Sequence, residues 1–171
     1  THRKFSENVN QIVVNAAECE PLMMVDHHIL EFHLQELVDT LNLLCDVMNA
    51  EEAIIGIKGK NMHLLDKSVV NSLSGTRIKI KEIPDIYPAG DEVVLTYETT
   101  GKIIPEGAIP VMVGVMVINV ETVFNIYKAV NKAEPVIDKY ITIGGDVPKD
   151  ITVVAPVGMK ISELLSAAGY A

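Results

Sequence analysis

Three polar clusters in this sequence combine side chains that can do chemistry with positions at the ends of predicted elements. They are Asn15-Ala-Ala-Glu18-Cys19-Glu20-Pro21, Tyr87-Pro-Ala-Gly90-Asp91-Glu92 and Ile118-Asn119-Val-Glu121-Thr122. The first two follow apolar or alternating runs of strand length, and the third leads into a helical pattern. Ligands of open α/β sheets settle outside the carboxyl ends of the strands, so three such clusters can meet in one crevice. Gly90 lets backbone approach a ligand closely. Asn119 or Thr122 at a helix start can aim free N–H groups at a phosphate. The same residues also have plainer uses. They can serve as turn and cap residues, with Glu18, Glu20, Asp91 and Glu92 as solvated charges. Paired carboxylates also suit acid/base hydrolysis, but spacing along the chain does not fix their separation in space.

The remaining candidates carry less. His27, His28 and His33 fall in a helical stretch, and His28 and His33 are five apart, not the three or four of a helical metal pair. Surface or half-buried packing is the simpler role for them. His2 and His63 are isolated. Cys45 lies on an apolar helix side and reads as core, whereas Cys19 sits inside the first cluster as either a small filler or a redox thiol. Two cysteines make neither a disulfide framework nor a four-thiolate metal site, which suits a reducing compartment.

The elements that must position these residues are legible from periodicity. Gln11–Asn15 is a buried strand. Asp26 is placed to cap one long helix over about residues 26–49, with Leu30, Leu34, Leu37, Leu41, Leu44 and Met48 as its stripe. Ala53–Lys58 is the next strand, Gly59–Leu73 a weaker helix, and Arg77–Ile83 a strand with one wet face. This β-α-β-α-β opening predicts an α/β fold, a Rossmann-like, mostly parallel sheet with covering helices. Asp91–Thr99 follows as a helix, Val111–Ile118 as a strand or strand pair, and then a helix after Asn119. From Glu134 the pattern changes to strand (Val136–Ile143), turn (Gly144-Gly145-Asp146), strand (Ile151–Val154) and short helix (Ile161–Ala168). That order predicts a small appended module.

Composition narrows the partners. Hydrophobic residues make up 49% of 171, enough for a packed core. A formal net charge of −9 argues against nucleic acid and anionic membrane surfaces as partners. The absence of Trp removes the best base-stacking side chain. The longest apolar run, Ile109–Val120, is interrupted by Pro110, Gly114 and Asn119, and falls short of the ~20 residues of a membrane span. A phosphate-bearing cofactor remains compatible with an acidic chain, because backbone N–H groups can hold phosphate.

Asn15-Ala-Ala-Glu-Cys-Glu-Pro21 resembles the Asn-x-x-Glu-Cys-Glu-Pro segment of the Rnf complex C subunit, and the matching segment of the flavin-bearing, NADH-oxidising subunit of respiratory complex I. Thr1-His-Arg-Lys4-Phe5 looks like the residues that follow that family's Gly-rich flavin loop. Ile86-Tyr-Pro-Ala-Gly-Asp-Glu92 resembles its Tyr-Pro-x-Gly-x-Glu segment. Ile104–Pro110 and Val117-Ile-Asn-Val-Glu-Thr122 follow in the family's order. Ile143-Gly-Gly-Asp-Val147, Val157-Gly158 and Ile161–Leu165 resemble the soluble-ligand-binding β-grasp (SLBB) module that comes next. Together these cover essentially the whole chain.

The resemblance implies residues 1–134 as an FMN/NADH-binding α/β domain and 135–171 as a partial SLBB-like module. It implies Lys4, Asn15, Glu18 and Cys19 lining the flavin, and Tyr87, Gly90 and Asp91 on its other wall. Asn119 and Thr122 would lie near the FMN phosphate, and Glu20 and Glu92 would meet the nicotinamide nucleotide. The protein would pass electrons from NADH through FMN to a downstream acceptor, with iron–sulfur clusters in regions outside this chain. Its partners would be other electron-transfer subunits or an acceptor reductase, as in the Rnf complex and in cobalamin- and proline-reductase relatives. It would sit in the cytoplasm, free or peripheral to the inner membrane face, without inserting. Carboxylates beside the flavin would lower its potential. Thr1 follows directly where the Gly-rich loop belongs, so these residues are expected to be part of a longer protein and to bind flavin weakly by themselves. Ala17, Asp91 and the single Asn119 depart from complex I relatives, which have an acid, a Glu and an Asn pair there. The alternative is a non-enzymatic docking or ligand-binding module that keeps the scaffold.

Overall fold

The computed structural model describes residues 8–18 and 20–170. Four strands, β1 (Gln11–Ala16), β2 (Glu52–Lys58), β3 (Ile78–Ile83) and β4 (Val115–Asn119), form one parallel sheet in the order β3-β2-β1-β4. β1 is central and β4 lies on its far side, so the strand order reverses between β1 and β4. That reversal is the topological switch point of a doubly wound sheet. The α/β, mostly parallel reading of the sequence therefore holds.

Alternation along the strands sends side chains to two cores. Ile12, Val14, Ala16, Ala53, Ile55, Ile57, Ile78 and Met116 pack with the helices α1 (Val25–Phe32), α2 (Leu34–Met48) and α5 (Val120–Lys132). Val13, Ala17, Ile83, Val115 and Val117 pack with Ala89 and with Leu95 of α4 (Glu92–Thr100) on the other face. A strand covered on both faces needs a nearly unbroken apolar run, which explains Ile-Val-Val in β1. Gly56 in β2 lets α4 lie close: a Cβ there would stand 2.8 Å from Leu95 Cδ1 and 3.0 Å from Thr99 Cγ2.

Four sequence expectations need correction. The long helix over residues 26–49 is two helices, because His33 leaves helical geometry (φ −134°, ψ 24°). Its ring stacks on Phe124 at 4.2 Å and its Nδ1 lies 3.3 Å from Glu36. The break still leaves Leu30, Leu34, Leu37, Leu41 and Leu44 buried in one core. Asp26 does not cap; it lies inside the first turn of α1 and turns into the protein. Gly59–Leu73 divides into a 3-10 turn (Gly59–Leu64) and a short helix α3 (Lys67–Ser72), which Asp66 caps by accepting from Ser68 and Val69 N–H. Val111–Ile118 is not continuous strand. Pro110 opens a 3-10 turn and Gly114, at φ 76°, ends it before β4 begins.

The C-terminal stretch forms an antiparallel hairpin, β5 (Asp138–Ile143) with β6 (Ile151–Pro156), followed by the short helix α6 (Ile161–Ala167). The hairpin is tied to the main body by polar contacts. The Met24 N–H donates to Thr142 Oγ1 at 3.1 Å, and Lys139 and Lys128 pair with Glu121 and Asp138 at 2.6 and 3.0 Å. Tyr140 packs against the larger core. No helix among the described residues is long and apolar enough to cross a membrane.

Candidate functional site

β1 and β4 flank the switch point. Asn15, the penultimate residue of β1, stands in register with Asn119, the last of β4, on one side and with Gly56 on the other. The two asparagines are therefore neighbours at the carboxyl edge of the sheet, but their side chains serve different loops. Asn15 donates from Nδ2 to the Gly90 carbonyl at 2.8 Å, while its Oδ1 accepts from the Ala17 N–H at 3.1 Å. This links the first polar cluster to the second. Asn119 caps α5 by accepting from the Glu121 N–H at 2.8 Å, and its Nδ2 lies 3.4 Å from each carboxylate oxygen of Asp26. The third cluster is thereby tied to α1.

The second cluster forms a loop and cap. Asp91 accepts from the Val93 and Val94 N–H groups at 2.9 and 3.2 Å and so starts α4. Tyr87 is 81% exposed. Glu92, Glu20 and Thr122 are exposed as well, at the start of α4, in the first loop and in the first turn of α5. Asn15, Gly90 and Asn119 thus gather at one edge, with Asp91 at the head of the helix after Gly90. Lys4 and Cys19 lie outside the described residues.

Between this edge and the hairpin is a cavity of about 280 Å3 lined by Glu18, Met23, Val25, Asp26, Asn119, Glu121, Lys139 and Tyr140. Glu18 holds an unusual backbone angle for a non-glycine residue, φ 26°. Its carboxyl is raised above the usual range, first by burial and then by Glu20, against hydrogen bonds from the Asp26 and Glu20 backbone. Asp26 is only 8% exposed. Burial, and then the charges of Glu18 and Glu121, push its carboxyl up to about 7, with the Asn119 amide opposing.

Sequence reasoning misses Asp26 and Lys58 as site residues. Asp26 reads there as a cap, and Lys58 as the polar end of a strand. Lys58 is nevertheless almost fully buried, beside Glu18 of the first cluster and Asp85 of the loop that leads to the second. Nothing in the linear pattern separates a buried terminal lysine from an exposed one. Of the histidines, His27 shares a 2.7 Å hydrogen bond with Asn61, and burial lowers its pKa first. His28 packs between Phe32 and Tyr140. Cys45 is buried in the core, in keeping with its position on the helix.

The polar groups at this edge are two side-chain amides, bonded to the Gly90 carbonyl and to Asp26, and the starts of α4 and α5. Such a set suits an organic, phosphate-bearing ligand. Among the described residues, no group of three or more His, Cys, Asp or Glu is placed to hold a metal ion. Burial raises the Asp26 and Glu18 carboxyls, which favours their uncharged forms at this edge. The residues present therefore fit a flavin nucleotide.

The family model of the Nuo51 FMN-binding domain matches residues 1–128. The chain belongs to that family. The cobalamin reductase PduS of Citrobacter freundii is 38% identical over 170 residues, covering 99% of this chain and 37% of that protein. The C subunit of the ion-translocating oxidoreductase complex of Erwinia tasmaniensis is 33% identical over 163 residues, covering 95% of this chain and 20% of that protein. The chain thus spans well under half of the curated relatives it matches. An NAD+-reducing [NiFe]-hydrogenase in the H2-reduced state superposes with a TM-score of 0.81 at 20% identity, covering 98% of this chain and 35% of that one. At that identity the likeness is one of fold. The resemblance read from the first, second and third clusters thus leads to the same family.

Proposed function

We propose that these residues are the flavin- and NADH-binding core of a longer electron-transfer flavoprotein subunit of the Rnf C type. One observation carries the reading: Asn15, Gly90 and Asn119, from three distant stretches, meet at the carboxyl edge of the sheet across its switch point. A flavin held there would supply two-electron chemistry toward NADH and one-electron chemistry toward iron–sulfur clusters elsewhere in the protein. The chain's own residues would position it. Asn15 and Gly90 join the two walls, with Tyr87 and Asp91 on the second and Lys4, Glu18 and Cys19 on the first. Asn119 and Thr122 would present the start of α5 to the phosphate, and Glu20 and Glu92 would face the nicotinamide nucleotide. Residues 135–171 belong to an SLBB-like module. The protein works with other electron-transfer subunits or an acceptor reductase, in the cytoplasm or at the inner membrane face.

The test is a flavin titration of two proteins: this chain, and the chain extended upstream to include the expected Gly-rich loop. The extended protein is expected to take up stoichiometric FMN, and added NADH should bleach its visible absorbance. The 171-residue chain should retain little flavin. A colourless extended protein would sink the redox reading and favour a docking module on the same scaffold.

A further inference from the structure

Lys58 ends β2 with its side chain 7% exposed. It shares strand parity with Gly56, the residue against which α4 packs, so it points to the α4 side of the sheet. Its Nζ lies 3.4 Å from the Glu18 carbonyl oxygen and 3.4 Å from Asp85 Oδ1. Glu18 belongs to the turn after β1, and Asp85 to the loop between β3 and α4 that contains Tyr87 and Gly90. One ammonium therefore bridges the two loops that Asn15 also joins.

This is an expensive arrangement if Lys58 only fills space. Desolvating an ammonium carries a large penalty, and a well-packed apolar side chain of similar length avoids it. Both contacts exceed the roughly 2.7–2.9 Å of a good charge-assisted hydrogen bond. Asp85 is 46% exposed and is shared with Lys60 at 3.0 Å, so water and a second cation weaken the pair. The chain also adopts φ 26° at Glu18, the residue whose carbonyl Lys58 holds.

We propose that Lys58 is a positioning residue, a buried cationic latch that fixes the chain at Ala17–Glu18 relative to the Pro84–Gly90 loop and so sets the opening between them. The latch itself rests on geometry alone; that the opening receives FMN rests on the function proposed above.

Two measurements test it. Amide hydrogen exchange is followed in the full chain for Lys58→Met, Lys58→Arg and Asp85→Asn. Lys58→Met keeps length and loses charge, and it should speed exchange in both loops by about tenfold, the loss of roughly one ordinary net hydrogen bond. The core amides of β1 and β2 should hold their rates. Lys58→Arg should restore most of the protection. Asp85→Asn, at a half-exposed position, should loosen residues 84–90 and leave Ala17 and Glu18 protected. An unchanged rate in either loop of Lys58→Met overturns the latch, and so does faster exchange spread evenly over the whole sheet, which marks Lys58 as core packing. The second measurement is FMN affinity in the upstream-extended protein, which Lys58→Met should weaken by about tenfold. Equal affinity in that variant overturns the assignment of the latch to the flavin opening. If the extended wild type takes up no FMN, the flavin reading falls, and the exchange data alone decide the latch.

Discussion

Asn119 offers its amide to both carboxylate oxygens of Asp26, each at 3.4 Å. Contacts of that length from a neutral donor do little to offset the burial of a charge. Asp26 consequently keeps a proton until about pH 7, whereas an unfolded aspartate releases it near 3.8. Between those values the folded chain binds more protons than the unfolded one. This contribution to stability is complete below the unfolded pKa and declines as pH rises, by up to about 1.4 kcal/mol per pH unit. Replacing Asp26 with Asn removes the titration. The variant should gain about 2–3 kcal/mol over wild type at pH 8 and change little at pH 4. Urea midpoints at the two pH values measure this, and parallel pH profiles for the two proteins would refute it.

The bond from Asn15 to the Gly90 carbonyl carries a second expectation. Asn15→Ala loses both that donor and the acceptor for the Ala17 N–H, at a cost of about 1–2 kcal/mol. Asn15→Asp keeps the acceptor but sets a carboxylate against a carbonyl oxygen. Above about pH 6 it should be less stable than the alanine variant, and the order should reverse or close as the new carboxyl is protonated. Chemical denaturation across roughly pH 4–8 distinguishes this from a simple loss of volume, which would leave the order fixed.

Gly56 gives a third. A methyl at this position already meets Leu95 and Thr99 inside the limit of contact. Gly56→Val adds two more carbons and should cost about 1–3 kcal/mol by forcing α4 outward. Because α4 begins at the Asp91 cap, exchange protection should fall first at Val93 and Val94, whose N–H groups donate to Asp91. Full protection there, with an unaltered unfolding midpoint, would show that α4 is not seated by close approach to β2.

Much of the scaffold is legible in the sequence because burial imposes regular patterns. The unbroken apolar run of β1, the Leu30–Leu44 stripe and the Arg77–Ile83 alternation each report which faces meet a core. The His33 break is not legible, because it depends on a ring stacked on Phe124, far away along the chain. The same holds for Asp26. In sequence an aspartate before an apolar stripe suggests a cap, and its burial among acids emerges only from the neighbouring positions of Glu18, Asn119 and Glu121.

Periodicity and turn chemistry are local properties of a chain, and they suffice for the parallel α/β body and for the polar clusters at its strand ends. The position of β4 is of another kind. It joins β1 on the side away from β2, which makes Asn15 and Asn119 neighbours across a switch point. The burial of Lys58 between two loops belongs with it. Both depend on how whole elements pack against one another, and no single stretch of residues encodes proximity to a distant one.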